Sequence, residues 1–543
     1  METDVDVVVI GGGLAGSMAA TMLSRRGLRV TVLESRPVGK EQKAVVGEAL
    51  TEGTSVFLRH ELGLTEWLSK NTFRKFGFDF LTLPREGELP QTAAGCHELL
   101  LSLKPFEEMP GAFPHLIPTY HVERTAMNAH LAELARQAGA RYLSGASVES
   151  VEIGDGSHSV RYAQDGASHV LRCRWVLDAS GRRNLLGRQL GITHPVKELD
   201  TASVWNRFSN VNADEDFWRT FGGVDRRRQT IHFTGPGFWI WWIHQKNDMT
   251  SVGVSFDNKQ HQPNVKTDDH GFWEMLKKHP PAYNALKGAR ALEPFQYYAH
   301  LPYRSQHWVS KKGYSLIGDA AWFVDALYSI GIETACRQLV AVVPLIVDAC
   351  RGPGACAATI DKLNMEFELT QTSVVKLNKF KYEHAWARPH VMMQTALYEL
   401  GEIAELYHMQ AKSRWTPAVL SKHYRLQWST PQRLHDLEQF MSTALEKDGD
   451  RDLGNKPLLK KALLPGKTIY AVTWPLWKLP HARPYFFKLT RTWGYMERYA
   501  QRMRLWPDGL KWMASGVPFS SLLGRFAPGD AQATAEATHR KVS

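Results

Sequence analysis

The chain lacks the marks of a secreted, metal-stapled or membrane-spanning protein. Its five cysteines, Cys96, Cys173, Cys336, Cys350 and Cys356, are odd in number, scattered and without a CxxC pair. That pattern speaks against a disulfide framework and against a zinc site; no metal is expected, and a reducing cytoplasm fits. No run of about 18 apolar residues occurs, and the apolar stretch Leu339 to Val347 is too short to cross a bilayer. The N-terminus METDVDVVVIGGG is acidic ahead of a short apolar run and has no cleavage pattern, so it does not read as a signal peptide. The expectation is a cytoplasmic protein, soluble or at most in peripheral membrane contact. Acidic residues are outnumbered, leaving a net charge of +11, which permits an acidic partner: nucleic acid, an anionic membrane or an acidic carrier protein. No nucleic-acid-binding module is recognisable, and that partner is set aside. At 543 residues the chain predicts two or three joined units.

What is present begins at Val5. The β-branched run Val5 to Ile10 suits a strand buried on both faces of a parallel sheet. Gly11-Gly12-Gly13-Leu14-Ala15-Gly16 then forms a turn, Ser17 to Arg26 a helix ended by Gly27, and Leu28 to Leu33 the next strand. The turn matches GxGxxG. Gly11 permits the tight bend, Gly13 the close approach of a pyrophosphate, and Gly16 close packing of helix on strand, while the helix N-terminus favours phosphate charge. Glu34, at the end of the second strand, is placed to bind ribose hydroxyls. Together these residues predict a dinucleotide site.

Further on, Arg124 to Ala138 has the spacing of an amphipathic helix. Ala140 to Glu152, Ser159 to Tyr162 and His169 to Leu177 alternate like strands, and residues 202–256 read as short aromatic strands of a second sheet. Tyr314 to Ile317 predicts another buried strand and Ile332 to Cys350 a long helix. Two segments carry further signals. Trp175 to Leu177 enters Asp178-Ala179-Ser180-Gly181, a DxSG turn, and Leu316-Ile317 ends in Gly318-Asp319 at the head of a helix. With these motifs in order, the chain resembles the glutathione-reductase-type FAD proteins, specifically their aromatic-hydroxylase and flavin-halogenase branch. The resemblance implies FAD as cofactor, with Asp319 holding the ribitol and Arg124 close to it. The implied cofactor-binding set is Gly11, Gly13, Leu14, Ala15, Gly16, Glu34, Gly47, Arg124, Asp178, Gly318, Asp319, Ser329 and Gly331. No second GxGxxG occurs, so either pyridine nucleotide binds transiently on the flavin module or a separate flavin reductase delivers reduced FAD.

Val46-Gly47-Glu48-Ala49-Leu50-Thr51-Glu52-Gly53-Thr54 resembles the VGESLLPGT segment of flavin-dependent halogenases. Phe73-Arg74-Lys75-Phe76-Gly77 falls where those enzymes carry a catalytic lysine, and Trp239-Ile240-Trp241-Trp242-Ile243-His244 where they have WxWxIP. Phe323 to Gly331 falls on FxxPxxSxG. The likeness covers about residues 5 to 345. It implies that reduced FAD and O2 form a C4a-hydroperoxide that oxidises halide to hypohalous acid, which Lys75 holds or orients beside an aromatic or polyene substrate. Lysine suits this, being nucleophilic when desolvated and a donor when charged. Lys75, Trp239, Trp241 and His244 are thus the candidate catalytic residues. Three family prolines are replaced, by Glu52, His244 and Ala326. Glu52, if ionised and near halide, would repel it. An FAD-dependent monooxygenase or dehydrogenase on the same scaffold therefore stays open, with His244 as its acid or base or as a plain strand residue.

The expected fold class is α/β: a Rossmann-like FAD-binding domain with an inserted mixed β-sheet substrate domain and a mostly helical C-terminal region. Residues 1–345 form the FAD-binding module, interleaved with a substrate-binding sheet at about 75–120 and 195–300; residues 346–543 form the C-terminal region. There, Trp474 to Arg525 interleaves aromatics with Lys and Arg. That composition suits a dock for an acidic acyl carrier protein, a membrane interface, or helices covering the catalytic module with their cations exposed.

Overall fold

The computed structural model describes residues 3–39, 45–102 except 86, and 117–399 except 212, 221–223, 262–268, 353–356, 390, 393, 394, 397 and 398, then 430–449 and 461–464. The basic aromatic segment Trp474 to Arg525 lies outside them. Among the described residues two large sheets carry the fold, one of eight strands and one of nine.

The first sheet is built on β1 (Val5–Ile10). It pairs in parallel with β2 (Val30–Glu34) on one side and with Ala167–Asp178 on the other, which in turn pairs in parallel with Tyr314–Leu316. Val7, Val8 and Val9 are fully buried, as a central parallel strand covered on both faces requires. Helix α1 (Leu14–Arg25) buries Ala19 and Ala20 completely. It starts three residues before the predicted Ser17, because Gly13 already serves as its extended N-cap residue (φ −70°, ψ −166°). The predicted strand Ala140 to Glu152 is in fact two, Arg141–Ser144 and Ser147–Ile153, parted at Gly145 with φ 75°. A left-handed residue cannot stay in the pleat, and glycine adopts it without strain.

In the second sheet, Phe238–His244 lies between Gln229–Gly235 and Thr250–Asp257. Its side chains alternate between two cores. Trp239, Trp241 and Ile243 join the core shared with the first sheet, whereas Phe238, Ile240 and Trp242 join the outer one. At the far edge His97–Ser102 is covered by the parallel strand Lys461–Leu464. The C-terminal region is therefore not purely helical: one strand of it satisfies an otherwise open sheet edge.

Helix Ile330–Arg351 is long and apolar enough to cross a membrane by length, yet Cys336, Leu339, Val342, Val343 and Ile346 on it are fully buried inside the protein. It is a core helix. Ala357–Phe380 follows and ends in a single π turn, Lys381–Ala385, which carries Lys381 and Tyr382 beneath the tryptophan strand.

Candidate active site

The glycine turn is dictated by close backbone approach. Gly11 has φ 92°, and a Cβ there would stand 2.6 Å from the Ala179 carbonyl oxygen. At Gly16 a Cβ would stand 1.9 Å from the carbonyl oxygen of Gly11, whereas at Gly13 it would meet nothing within 4 Å. Glu34 braces this turn as well as facing the space above it: its carboxylate accepts the Gly12 and Arg36 N–H groups, each at 2.8 Å.

A cavity of about 390 Å³ runs from the turn across to the head of helix Ile330–Arg351. Gly11, Gly13, Leu14, Ala15 and Glu34 line one end; Gly47, Arg124, Gly318, Asp319, Ser329 and Gly331 line the remainder. Asp178 and Gly16 stand behind the wall. The Asp178 carboxylate accepts the N–H groups of Ser180 (2.9 Å) and Leu186 (2.7 Å) and so shapes the loop that brings Ser180 to Arg183 to the cavity. Arg124 donates from Nη1 to the carbonyls of Val46 (2.6 Å) and Gly47 (3.3 Å), tying the segment that carries Gly47 across the opening. The donor set fits FAD: a carboxylate for the ribose, the N-terminus of α1 and the open face of Gly13 for the pyrophosphate, and Asp319 at the far end.

Lys75 belongs to the strand Phe73–Lys75 and is 2% exposed. Its Nζ lies 3.4 Å from the Leu50 carbonyl oxygen and 4.0 Å from the centroid of the Phe78 ring. Burial pulls its pKa down to about 8, with Glu52 opposing the fall. Glu52 itself is buried, lines neither cavity, and is raised by burial, with Lys75 as the main opposing charge. Lys75, Trp239, Trp241, Phe78, His232 and Tyr328 line a second, much smaller space of about 20 Å³. Trp241, Val46, Gly47, Ala326 and Ser329 belong to the walls of both cavities. Twenty cubic ångströms is room for about one water and far too little for an aromatic ring. The Tyr328 ring fills the remainder, edge-on to Phe78, Phe80 and His232. Its backbone is left-handed, with φ 58°, and its hydroxyl donates to Glu399 at 3.0 Å.

His244 is on the other side of its strand from Trp239 and Trp241. It contacts Phe73 and Trp218, its Nδ1 is 3.3 Å from Thr250 Oγ1, and it lines neither cavity. Strand alternation is the reason: positions 239, 241 and 243 share a face that 244 cannot. The histidine that shares a cavity wall with Lys75 is His232, on the strand next to His244's, which no motif marked.

Tyr382 was equally invisible to motif reading, since it lies beyond the segment of family likeness. Its hydroxyl accepts Trp239 Nε1–H (2.9 Å) and donates to Asp325 (2.7 Å), with Ser255 Oγ 2.6 Å away. Burial raises the Asp325 carboxyl, with the hydrogen bond from Tyr382 opposing. Tyr382→Phe leaves the Trp239 indole N–H unpartnered in a dry core and is expected to destabilise by about 1–3 kcal/mol. Thermal denaturation reads this directly; an unshifted midpoint would mean the hydroxyl holds nothing in place.

Residues 4–366 match the FAD binding domain family. The chain is 31% identical over 353 residues to the 1H-pyrrole-2-carbonyl (peptidyl-carrier protein) chlorinase of Pseudomonas fluorescens, covering 62% of this chain and 74% of that one. It is 27% identical over 364 residues to the tetracycline 7-halogenase of Kitasatospora aureofaciens, a match that spans 61% of either chain. The fold is shared with halogenase PltM, solved in complex with phloroglucinol and FAD, at a TM-score of 0.68 and 20% identity over 82% of this chain and 93% of that one. With its glycine turn, Gly-Asp segment and buried lysine in place, the chain belongs to the flavin-dependent halogenases, FAD-dependent oxidoreductases of the FAD binding domain family.

Proposed function

We propose that this flavoenzyme halogenates an electron-rich aromatic ring beside Lys75, on a substrate that a carrier protein can present. The observation that carries the reading is the placement of Lys75: buried, pulled down in pKa, and separated from the flavin cavity by a wall that includes Trp241. Bound FAD, once reduced, supplies with O2 the two-electron oxidation of halide to hypohalous acid. The protein does the rest. Ser329 and Gly331, at the N-terminus of helix Ile330–Arg351, present the positive end of a long helix to the flavin cavity, where an anion is favoured. Trp241 keeps substrate and cofactor apart, so the diffusible oxidant is what crosses. Lys75 then orients it by hydrogen-bond donation.

An aromatic substrate is supported by the ring-lined walls around Lys75, and a carrier by the peptidyl-carrier-protein chlorinase to which the chain is similar. The single glycine motif supports a separate flavin reductase as the source of reduced FAD, and the odd, scattered cysteines without a CxxC pair support a cytoplasmic setting. The test supplies reduced FAD, O2, and bromide or chloride with a phenolic or pyrrole acceptor, and reads products by mass spectrometry. A halogenated product is expected. Oxygenated product without halogen would replace this reading with the monooxygenase one.

A further inference from the structure

The Lys75 cavity holds a polar group that neither the family motifs nor the chemistry above employs. His232, on strand Gln229–Gly235, is in register with Trp241 on one side and Phe80 on the other. It is 1% exposed, and its ring stacks on Phe80 at 4.6 Å and 16°. Phe78, Trp239 and Tyr328 surround it at 5.7 Å between ring centroids. Four aromatic rings thus fix the imidazole, yet its Nδ1 is buried without a hydrogen-bond partner. One buried polar atom left open weakens the state that holds it by about tenfold to a hundredfold. His232 lines the Lys75 cavity, and beyond the Asp79 and Thr230 backbone it has no polar partner, so an occupant that supplies a donor would meet the acceptor nitrogen of the imidazole.

We propose that His232 is the substrate-orienting hydrogen-bond acceptor of this cavity, and that the ring it accepts carries a phenolic O–H or a pyrrole-type N–H; this rests on the halogenation reading above. Burial, reinforced by the Lys75 and Lys381 charges, pushes the imidazole down to about 3, so it stays neutral and always offers one acceptor nitrogen. Glu48 also lines the cavity with an open Oε2. Its Oε1 is already taken by Gln245 at 2.8 Å, and burial raises it to about 7 against hydrogen bonds from Ser251 and Gln245. The space itself is filled by a phenol, the Tyr328 ring, whose hydroxyl points to Glu399 rather than to His232. A substrate ring that displaces Tyr328 brings its own donor to the imidazole.

The chemistry balances simply. A ring C–H and hypohalous acid become C–X and water: the ring's electron pair forms the C–X bond, the X–O pair leaves on oxygen, and the ring proton ends on that oxygen. The ring O–H or N–H stays hydrogen-bonded to the neutral His232 throughout, and no proton passes to the imidazole. His232 leaves reactivity at Lys75 and governs which ring is seated there.

The test compares phenol with anisole, and pyrrole with N-methylpyrrole, as bromination substrates of the FAD-loaded enzyme, with monochlorodimedone trapping hypobromite in parallel. The wild type is expected to favour each donor over its methylated partner by at least about tenfold in kcat/KM. His232→Phe keeps the aromatic stack and is expected to erase that preference, lowering bromination of the donors per hypobromite formed. His232→Asn, which can restore an acceptor near Nδ1, is expected to recover part of it. A preference unchanged in His232→Phe would overturn the proposal. So would equal use of the methylated rings by the wild type, a comparison that decides the matter even if neither variant folds. No trapped hypobromite from the wild type would instead remove the halogenation reading, and this inference with it.

Discussion

Lys75→Met is expected to lower halogen found in product, per FAD reoxidised, by about 10²–10⁴-fold, the usual range for losing a positioned proton donor. Methionine has nearly the length of lysine and fills an apolar slot well, so the variant should fold and bind FAD. What it cannot do is donate. The wild-type pH profile follows from the same group. With Lys75 at about 8 rather than the ordinary 10.5, the side chain is mostly charged at pH 7, and the Phe78 ring 4.0 Å from Nζ favours that cation. Donation is therefore present below about pH 8 and is lost as pH rises through it. Halogen transfer per FAD reoxidised should be flat near pH 6–7 and fall above about 8. A yield that climbs through the same range would assign the work to the neutral amine, and a Met variant as productive as wild type would remove Lys75 from the chemistry.

The glycine turn predicts a second large effect, and a contrast. Gly16→Ala sets a Cβ 1.9 Å from the Gly11 carbonyl oxygen. The atom it meets is backbone rather than the end of a flexible side chain, so no rotamer change relieves the contact. Helix α1 must then lift off β1. Overpacking of this kind costs about 1–3 kcal/mol, so both the denaturation midpoint and the affinity for FAD should drop. Gly13→Ala meets nothing within 4 Å of protein, yet Gly13 lines the cavity. It should fold normally and lose FAD affinity alone, by about tenfold or more, since each 1.4 kcal/mol of lost contact is tenfold in affinity. Flavin titration monitored by absorbance, beside a thermal melt, separates the two. Equal FAD affinity in Gly13→Ala and wild type would mean that the pyrophosphate does not pass over Gly13.

The first sheet and its cofactor turn were open to reading because their signals are local. A β-branched run, glycines at set spacing and a carboxylate at the next strand end lie within residues 5 to 34, and each is required by contacts inside that βαβ unit. The strand parity that sets His244 apart from Trp239 and Trp241 was also written there, in the period of two, although the motif's span drew attention to all three together.

Residue order alone determined the dinucleotide fold, the FAD signals, Lys75 as a candidate and the tryptophan strand. It did not determine that Lys75 is buried rather than one more surface cation beside Arg74, because burial depends on what packs over Phe73–Lys75. Only the tertiary structure brought His232, Asp325, Tyr328 and Tyr382 together with that lysine and its tryptophans. They come from three separated stretches, position 232, the Phe323–Gly331 segment and position 382, which no local spacing rule links. Their hydrogen bonds and ring contacts exist only once both sheets and the helices after residue 330 have closed on one another. Pattern recognises chemistry that is carried by neighbours in sequence. The Lys75 cavity is made by neighbours in space, and its burial, its charge state and its open acceptor are consequences of the folded core.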